Sequence, residues 1–282
     1  MARITYVNGA YLPHDRAGVH IEDRGFQFAD GIYEVVQVAN GIIVDLDWHL
    51  DRFEYSLNEL KIPMPMTRAA LMVVMKNIIA KNYLPYGVVY MQVTRGVAKR
   101  DFAFPRDVQP SLVVVAMRMK PWPDAMIENG VKVITLPDIR WKRCDIKSVS
   151  LLAPVLGKQQ AKEAGAFEGW MVDENGFITE GTSSNAFIVT KDKEIITRAK
   201  DHRILGGITR ARLLVIAQEH GYILKERLFT VAEAKASSEA FISSSSTFVM
   251  PVVQIDDAVV GDGKVGAISK ALRKAYREFA GI

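Results

Sequence analysis

Lys147 closes the run Arg140-Trp141-Lys142-Arg143-Cys144-Asp145-Ile146-Lys147, in which basic and apolar residues alternate, and apolar Val149, Leu151 and Leu152 follow. An amine against an apolar wall, with cations nearby, is biased towards its neutral form, the form that attacks a carbonyl. Glu180 offers the complementary group. It ends the stretch 171–179 and is followed by Gly181-Thr182-Ser183-Ser184-Asn185. A carboxylate at a strand end beside small hydroxyl residues suits a bound ring or phosphate better than it suits a core. Two further stretches point to an anion. Gly206-Gly207 stand just before an apolar-periodic segment, and a glycine-led helix start leaves backbone N–H groups and a positive dipole end available to a phosphate. Ser243-Ser244-Ser245-Ser246-Thr247 lies between strand-like Phe241-Ile242 and Met250-Pro251-Val252-Val253, so its hydroxyls read as an ordered strand end facing a ligand.

Regular elements must position these groups. Residues 4–7 and 10–12 about Asn8-Gly9 predict a hairpin, and 32–39 with 42–44 about Asn40-Gly41 predict a second, carrying Tyr33. Trp48, Leu50, Phe53, Leu57 and Leu60 recur at helical spacing, with Asp47 placed to cap the start and Arg52 on the same helix. Leu71, Val74, Met75, Ile78 and Ile79 form the face of another. Residues 88–94 and 112–119 read as strands, joined through the cation-rich Arg95-Gly96-Val97-Ala98-Lys99-Arg100-Asp101-Phe102. Lys120-Pro121-Trp122-Pro123-Asp124 reads as a linker, because its prolines end a strand and stiffen the crossing. The division expected is 1–119, a linker at 120–124, and 125–282. Beyond it, 131–136 and 139–141 read as strands, the second leading to Lys147. Residues 151–164 read as a helix closed by Gly165. Met171 to Thr179 read as two short strands about Asn175-Gly176, 186–189 and 194–197 as further strands, and 267–279 as a final helix.

Composition narrows the class. With 282 residues the chain can bury a substantial core, and 49% hydrophobic with 24% charged residues is the balance of an ordinary globular protein. Lys and Arg exceed Asp and Glu by 36 to 32, but the cations are scattered rather than interleaved with aromatics, which argues against nucleic acid as a partner. One cysteine excludes an internal disulfide and suggests a reducing compartment, and Cys144 reads as a small buried filler. The N-terminal residues lack the apolar core of a secretion signal and no run is long enough to span a membrane, so the expected location is the cytoplasm. His14, His20, His49, His202 and His220 show no metal-ligand spacing.

In order, Glu22-Asp23-Arg24-Gly25-Phe26-Gln27-Phe28-Ala29-Asp30-Gly31-Ile32-Tyr33-Glu34, His49-Leu50-Asp51-Arg52, Thr94-Arg95-Gly96, the Lys147 stretch, Glu180 to Asn185, and Gly207-Ile208-Thr209-Arg210 resemble the D-amino-acid and branched-chain transaminases, fold-type IV enzymes that use pyridoxal 5'-phosphate. The wording Asp-Arg-Gly-Phe-Gln-Phe and Arg-Cys-Asp-Ile-Lys-Ser is most similar to the D-amino-acid branch. The resemblance implies an α/β fold with a small N-terminal α/β domain and a larger C-terminal domain built on a barrel-like β core. It implies that Lys147 forms a Schiff base with the cofactor and shuttles protons, and that Glu180 pairs with the ring nitrogen. Leu205 would lie under the ring. Arg52, the Ile208 and Thr209 amides, Ser244 and Ser245 would hold the phosphate. Tyr33, Ser183 and Arg100, with Lys99 or Arg95 helping, would meet the substrate. Two chains would pair as a homodimer.

One departure bears on specificity. D-amino-acid transaminases typically hold the substrate carboxylate with an Arg-x-His pair, and here Phe102 stands where the histidine would be. The activity implied is transfer of an amino group between a D-amino acid and a 2-oxo acid, 2-oxoglutarate or pyruvate, in a ping-pong cycle. Branched-chain L-amino-acid transaminases, R-selective amine transaminases and aminodeoxychorismate lyases share the cofactor residues and stay open as alternatives. A cofactor-free module binding a phosphorylated metabolite through Arg52, Gly207 and the serines is the non-enzymatic one.

Overall fold

A computed structural model describes residues 3–282. The chain forms two compact units. The first runs to Lys120 and takes in Ile146–Ser150, and the second comprises Pro121–Asp145 and Leu151–Ile282. The chain therefore enters the first unit twice, the second time for five residues that include Lys147.

The first unit opens with strands β1 (Ile4–Val7) and β2 (Ala10–Pro13), which turn at Asn8-Gly9 as expected. A short helix α1 (Arg24–Phe28), not foreseen from sequence, is capped by Asp23, whose carboxylate accepts from Gly25 N at 2.8 Å and from Thr94 Oγ1 at 3.0 Å. Next come β3 (Gly31–Ala39), β4 (Ile42–Ile43), α2 (Leu46–Glu59), α3 (Arg68–Lys81), β5 (Tyr86–Thr94) and β6 (Ser111–Arg118). The six strands form one antiparallel sheet in the order β2-β1-β6-β5-β3-β4. Ile32, Val36, Val89, Met91, Val93 and Val114 pack against Leu50, Phe53 and Leu57 of α2 and Leu71, Met75 and Ile78 of α3, and Ile146 joins this core. Asp47 does not cap α2. The N-cap is Asp45, held at φ 51° without a side-chain cap bond, and Asp47 lies in the first turn, where its charge favours the positive helix end.

The second unit begins with α4 (Asp124–Asn129), β7 (Val131–Pro137) and α5 (Leu152–Glu163). Strands β8 (Glu168–Val172) and β9 (Ile178–Gly181) pair about Asn175-Gly176, as their alternation predicts. There follow β10 (Asn185–Val189), β11 (Ile195–Thr197), α6 (Ile208–Glu219), β12 (Leu224–Glu226), α7 (Val231–Lys235), β13 (Glu239–Ser244), β14 (Phe248–Ile255), β15 (Ala258–Val259) and α8 (Ala267–Ala280). Its mixed sheet runs β12-β11-β10-β13-β14-β7-β8-β9, with β15 on β14, and curls so that β9, at the end of that path, lies against β10. Trp170, Ile188, Phe229, Ile242 and Met250 fill its core. Residues 139–141 are not a strand. The chain leaves the sheet at Pro137 because Arg140 binds Asp138 at 2.7 Å and the Arg203 carbonyl at 3.0 Å, while Cys144 N donates to His202 O at 2.8 Å. These local bonds take the place of a ladder.

Among the described residues no helix is long and apolar enough to cross a membrane. One backbone position in the first unit tests the packing directly. Gly96 has φ +107°, and a Cβ there would collide with the Gln109 carbonyl and Val108. Gly96→Ala is expected to lower stability by about 2 kcal/mol or more, read as urea or thermal unfolding; an unchanged midpoint would contradict this placement.

Candidate active site

Lys147 sits where β3 begins. Tyr33 N donates to the Lys147 carbonyl at 2.9 Å, Val149 N donates to Gly31 O at 3.0 Å, and Ile32 and Ser148 form an antiparallel bridge. Lys147 N donates to Ser56 Oγ on α2 at 3.2 Å. The side chain is half-buried, with Nζ 4.2 Å from the centre of the Tyr33 ring, which stacks on Tyr90 at 5.7 Å. Burial pushes the Tyr90 phenol up to about 12, so it stays protonated.

Next to Tyr33 on β3, Glu34 points into the core and is fully buried. His49 Nδ1 lies 2.8 Å from Glu34 Oε2 and Arg52 donates to Oε1 at 2.7 Å. Arg52 is therefore paired with Glu34, 18 positions away in sequence. Asp51 accepts from Arg68 at 2.7 Å. Burial alone would raise the Glu34 carboxyl, but Arg52, His49 and Lys147 outweigh it and hold the group at about 2. Burial pushes the His49 imidazole down, against the pull of Glu34. The i, i+3 spacing of His49 and Arg52 is the signal that could have put both on one helix face.

The expected carboxylate-binding loop divides into two kinds of residue. Arg95 is a buried brace: it binds Asp30 through two bonds at 2.8 and 3.0 Å, donates to the Leu60 and Lys61 carbonyls, and lies 3.5 Å from the Phe104 ring centre. It is not available to assist Arg100. Arg100 and Lys99 are exposed, the Arg100 guanidinium lies 4.6 Å from the Phe28 ring centre, and Phe102, 84% exposed, packs on that ring at 5.4 Å.

In the second unit Glu180 is buried at the end of β9. Its carboxylate is ion-paired with Arg140 and accepts from Asn185 Nδ2 at 2.9 Å and from Leu205 N at 3.1 Å. Burial pushes the Glu180 carboxyl up from its ordinary value, against Arg140 and the Leu205 amide. Asn185 Nδ2 also donates to Leu205 O at 3.0 Å. One asparagine thus ties the acid to the segment leading into α6. That helix starts with Gly207 as its N-cap, with no side-chain cap bond, and a Cβ at Gly207 would strike the side-chain amide oxygen of Asn185. Ile208 and Thr209 are buried in its first turn. Ser244 Oγ lies 2.8 Å from Thr247 Oγ1 and accepts from Thr247 N at 3.2 Å, with Ser245 half-buried in the same turn. Ser183 is exposed, its Oγ donating to Glu168 Oε2 at 2.8 Å. Cys144 is the expected buried filler. Its thiol donates to Trp141 O, and burial pushes it up to about 12. Arg140 and Asn185 lay within quoted motifs without an assigned task, since nothing in spacing alone shows which polar side chain a buried acid will take.

Within the second unit a buried acceptor, a helix start of twelve residues with no side-chain cap and a turn of hydroxyls are groups of the kind a phosphorylated pyridine ring would need. The first unit separately carries an amine on a fixed backbone, the group that would take up an aldehyde. The profile of the family described as amino-transferase class IV matches residues 31–255, and the chain belongs to that family. It is 38% identical over 276 residues to the D-alanine aminotransferase of Staphylococcus aureus strain MSSA476, covering 97% of this chain and 96% of that one. It is 38% identical over 270 residues to the D-alanine aminotransferase of Bacillus licheniformis, covering 96% and 94%. The fold matches a branched-chain amino acid aminotransferase from Escherichia coli with a TM-score of 0.92 at 21% identity, over 99% and 94% of the two chains. It also matches 4-amino-4-deoxychorismate lyase from Pseudomonas aeruginosa with a TM-score of 0.81 at 26% identity, over 97% and 98%. The α/β, fold-type IV architecture expected from the sequence is therefore the one observed.

The Glu34 cluster generates a prediction in acid. A carboxyl held at about 2 when folded, against an ordinary 4.5, contributes stability above pH 4.5 that is lost as pH falls through 2. The lowered His49 acts in the same sense, because the unfolded chain takes up that proton first as pH falls through the ordinary histidine value of 6.5. Glu34→Gln should flatten the decline in unfolding free energy between pH 4.5 and 2 by about 3 kcal/mol. An unaltered acid profile would contradict the pairing.

Proposed function

We propose that this aminotransferase uses pyridoxal 5'-phosphate to move an amino group between a D-amino acid and a 2-oxo acid, and that it works in the cytoplasm as a homodimer. The carrying observation is the 38% identity to D-alanine aminotransferases across nearly the whole of both chains. When bound, the cofactor supplies an aldehyde that takes up an amine and a ring that withdraws electrons from the adjoining carbon.

The chain's own residues would do the rest. Lys147 Nζ would hold the cofactor's aldehyde carbon and, as a free amine, would take the proton from the donor Cα. The backbone bonds to β3 fix the point from which that side chain swings. Glu180 accepts from the ring N–H. Its raised proton affinity, set by burial, makes it the stronger acceptor, while Arg140 and Asn185 hold both oxygens in place. The Ile208 and Thr209 amides and the Ser244 and Ser245 hydroxyls take the phosphate oxygens, with Arg52 supplying charge and Leu205 an apolar contact to the ring. Tyr33, Ser183 and Arg100 meet the substrate. Phe102 cannot donate a hydrogen bond, so carboxylate binding falls on Arg100 without a histidine beside it.

Purified, cofactor-loaded protein should transfer the amino group of D-alanine to 2-oxoglutarate faster than that of L-leucine or 1-phenylethylamine. Faster turnover of either competitor would assign the chain to a branched-chain or amine transaminase instead, and pyruvate release from aminodeoxychorismate would mark a lyase. Glu180→Gln should retain cofactor yet lose about 100-fold or more in kcat, and a near-native kcat would remove the acid from the mechanism.

A further inference from the structure

The turn between β13 and β14 carries its hydroxyls on a strained backbone. Phe248, the first residue of β14, is buried and has φ +59°, a left-handed conformation that is an outlier for a bulky side chain. Such strain persists only where surrounding groups over-determine it. Here the surrounding groups come from α8. Arg273, 7% exposed, donates from one guanidinium nitrogen to the Thr247 carbonyl at 2.8 Å and to the Val249 carbonyl, the carbonyls of the residues flanking Phe248. Tyr276, one helical turn further on, stacks on the Phe248 ring with centroids 5.4 Å apart. On the other side of the turn Trp122 Nε1 donates to the Ser246 carbonyl at 2.8 Å.

Three carbonyls are thus engaged by side-chain donors. A peptide unit is planar and trans, so its N–H points opposite to its C=O. Drawing the Ser246 carbonyl towards Trp122 therefore turns the Thr247 N–H the other way, and that N–H is found on Ser244 Oγ at 3.2 Å. An anion is attracted by N–H and O–H groups and repelled by carbonyl oxygens. The clamp keeps the repelling groups turned away and leaves a side of the turn rich in donors: Ser244 Oγ lies 3.3 Å from Ser246 Oγ and 2.8 Å from Thr247 Oγ1, and any of these can redirect its proton to a ligand. The buried guanidinium also places a positive charge behind the turn.

We infer that Arg273, with Tyr276 stacked on Phe248, is a positioning residue that holds the Ser244–Thr247 turn in its phosphate-accepting conformation without touching the phosphate itself. The inference rests on the proposed use of pyridoxal 5'-phosphate and adds to it a cause for the turn's shape. Its consequence is selective. Loss of the clamp should weaken recognition of the phosphate and leave recognition of the pyridine ring alone.

The test compares pyridoxal 5'-phosphate with pyridoxal, which lacks the phosphate. Protein stripped of cofactor is titrated with each compound and followed by absorbance, for the native chain, Arg273→Met and Arg273→Lys. Arg273→Met should lower affinity for pyridoxal 5'-phosphate about tenfold or more while that for pyridoxal stays within about twofold, and Arg273→Lys should recover part of the loss. If Arg273→Met does not fold, judged by its cofactor-free melting curve, Tyr276→Leu replaces it and should shift the same ratio in the same direction. Equal loss for both compounds, or an unchanged ratio, overturns the positioning role and marks Arg273 as a general brace. A native chain that binds neither compound instead overturns the reading of function, and this inference with it.

Discussion

Tyr33 N donates to the Lys147 carbonyl, Val149 N donates to Gly31 O, and Lys147 N donates to Ser56 Oγ. These bonds convert five residues of irregular chain into a partner for the start of β3. The rest of the proposed chemistry depends on them, because an amine that must hold an aldehyde and then shuttle a proton needs its backbone fixed even while its side chain moves. The same strand supplies Tyr33, whose ring lies beneath Nζ, and Glu34, whose charge faces the other way into the core. Alternation along a strand thus puts a ring on the amine side and an acid on the buried side in adjacent positions.

The two buried acids show how surroundings set opposite tendencies. Glu34 is surrounded by Arg52, His49 and Lys147 and is held ionised well below its ordinary value. Glu180 has Arg140 and two N–H donors, yet burial prevails and its proton affinity rises. Burying a carboxylate costs several kcal/mol, and that cost is offset only where charge and hydrogen bonds are well placed. The first acid reads as an anchor for the α2 side chains. The second reads as an acceptor kept ready for a protonated ring nitrogen, which is the proposed role.

Much of this was legible in the residues because local rules govern it. Asn8-Gly9 and Asn40-Gly41 demand tight turns, and strand alternation and helical spacing predicted β3, β5, β6, α2 and α3 to within a few residues. What escaped depends on contacts distant in sequence. Arg52 finds Glu34 on β3, and Arg95 is taken up by Asp30 and two carbonyls. The segment 139–141 has strand-like composition, but Arg140 bonds to Asp138, Glu180 and Arg203 O draw it off the sheet. Helix α1 is too short for periodicity to show and is defined by the Asp23 cap. The tie between Arg273 and the serine turn joins positions with no sequence pattern in common.

The most direct test of the central claim is chemical. Protein loaded with pyridoxal 5'-phosphate is reduced with borohydride, digested and mapped by mass spectrometry. The account predicts one phosphopyridoxyl-modified peptide, with the label on Lys147 and none in Lys147→Ala. A label on another lysine, or no stable label in the native chain, would contradict it.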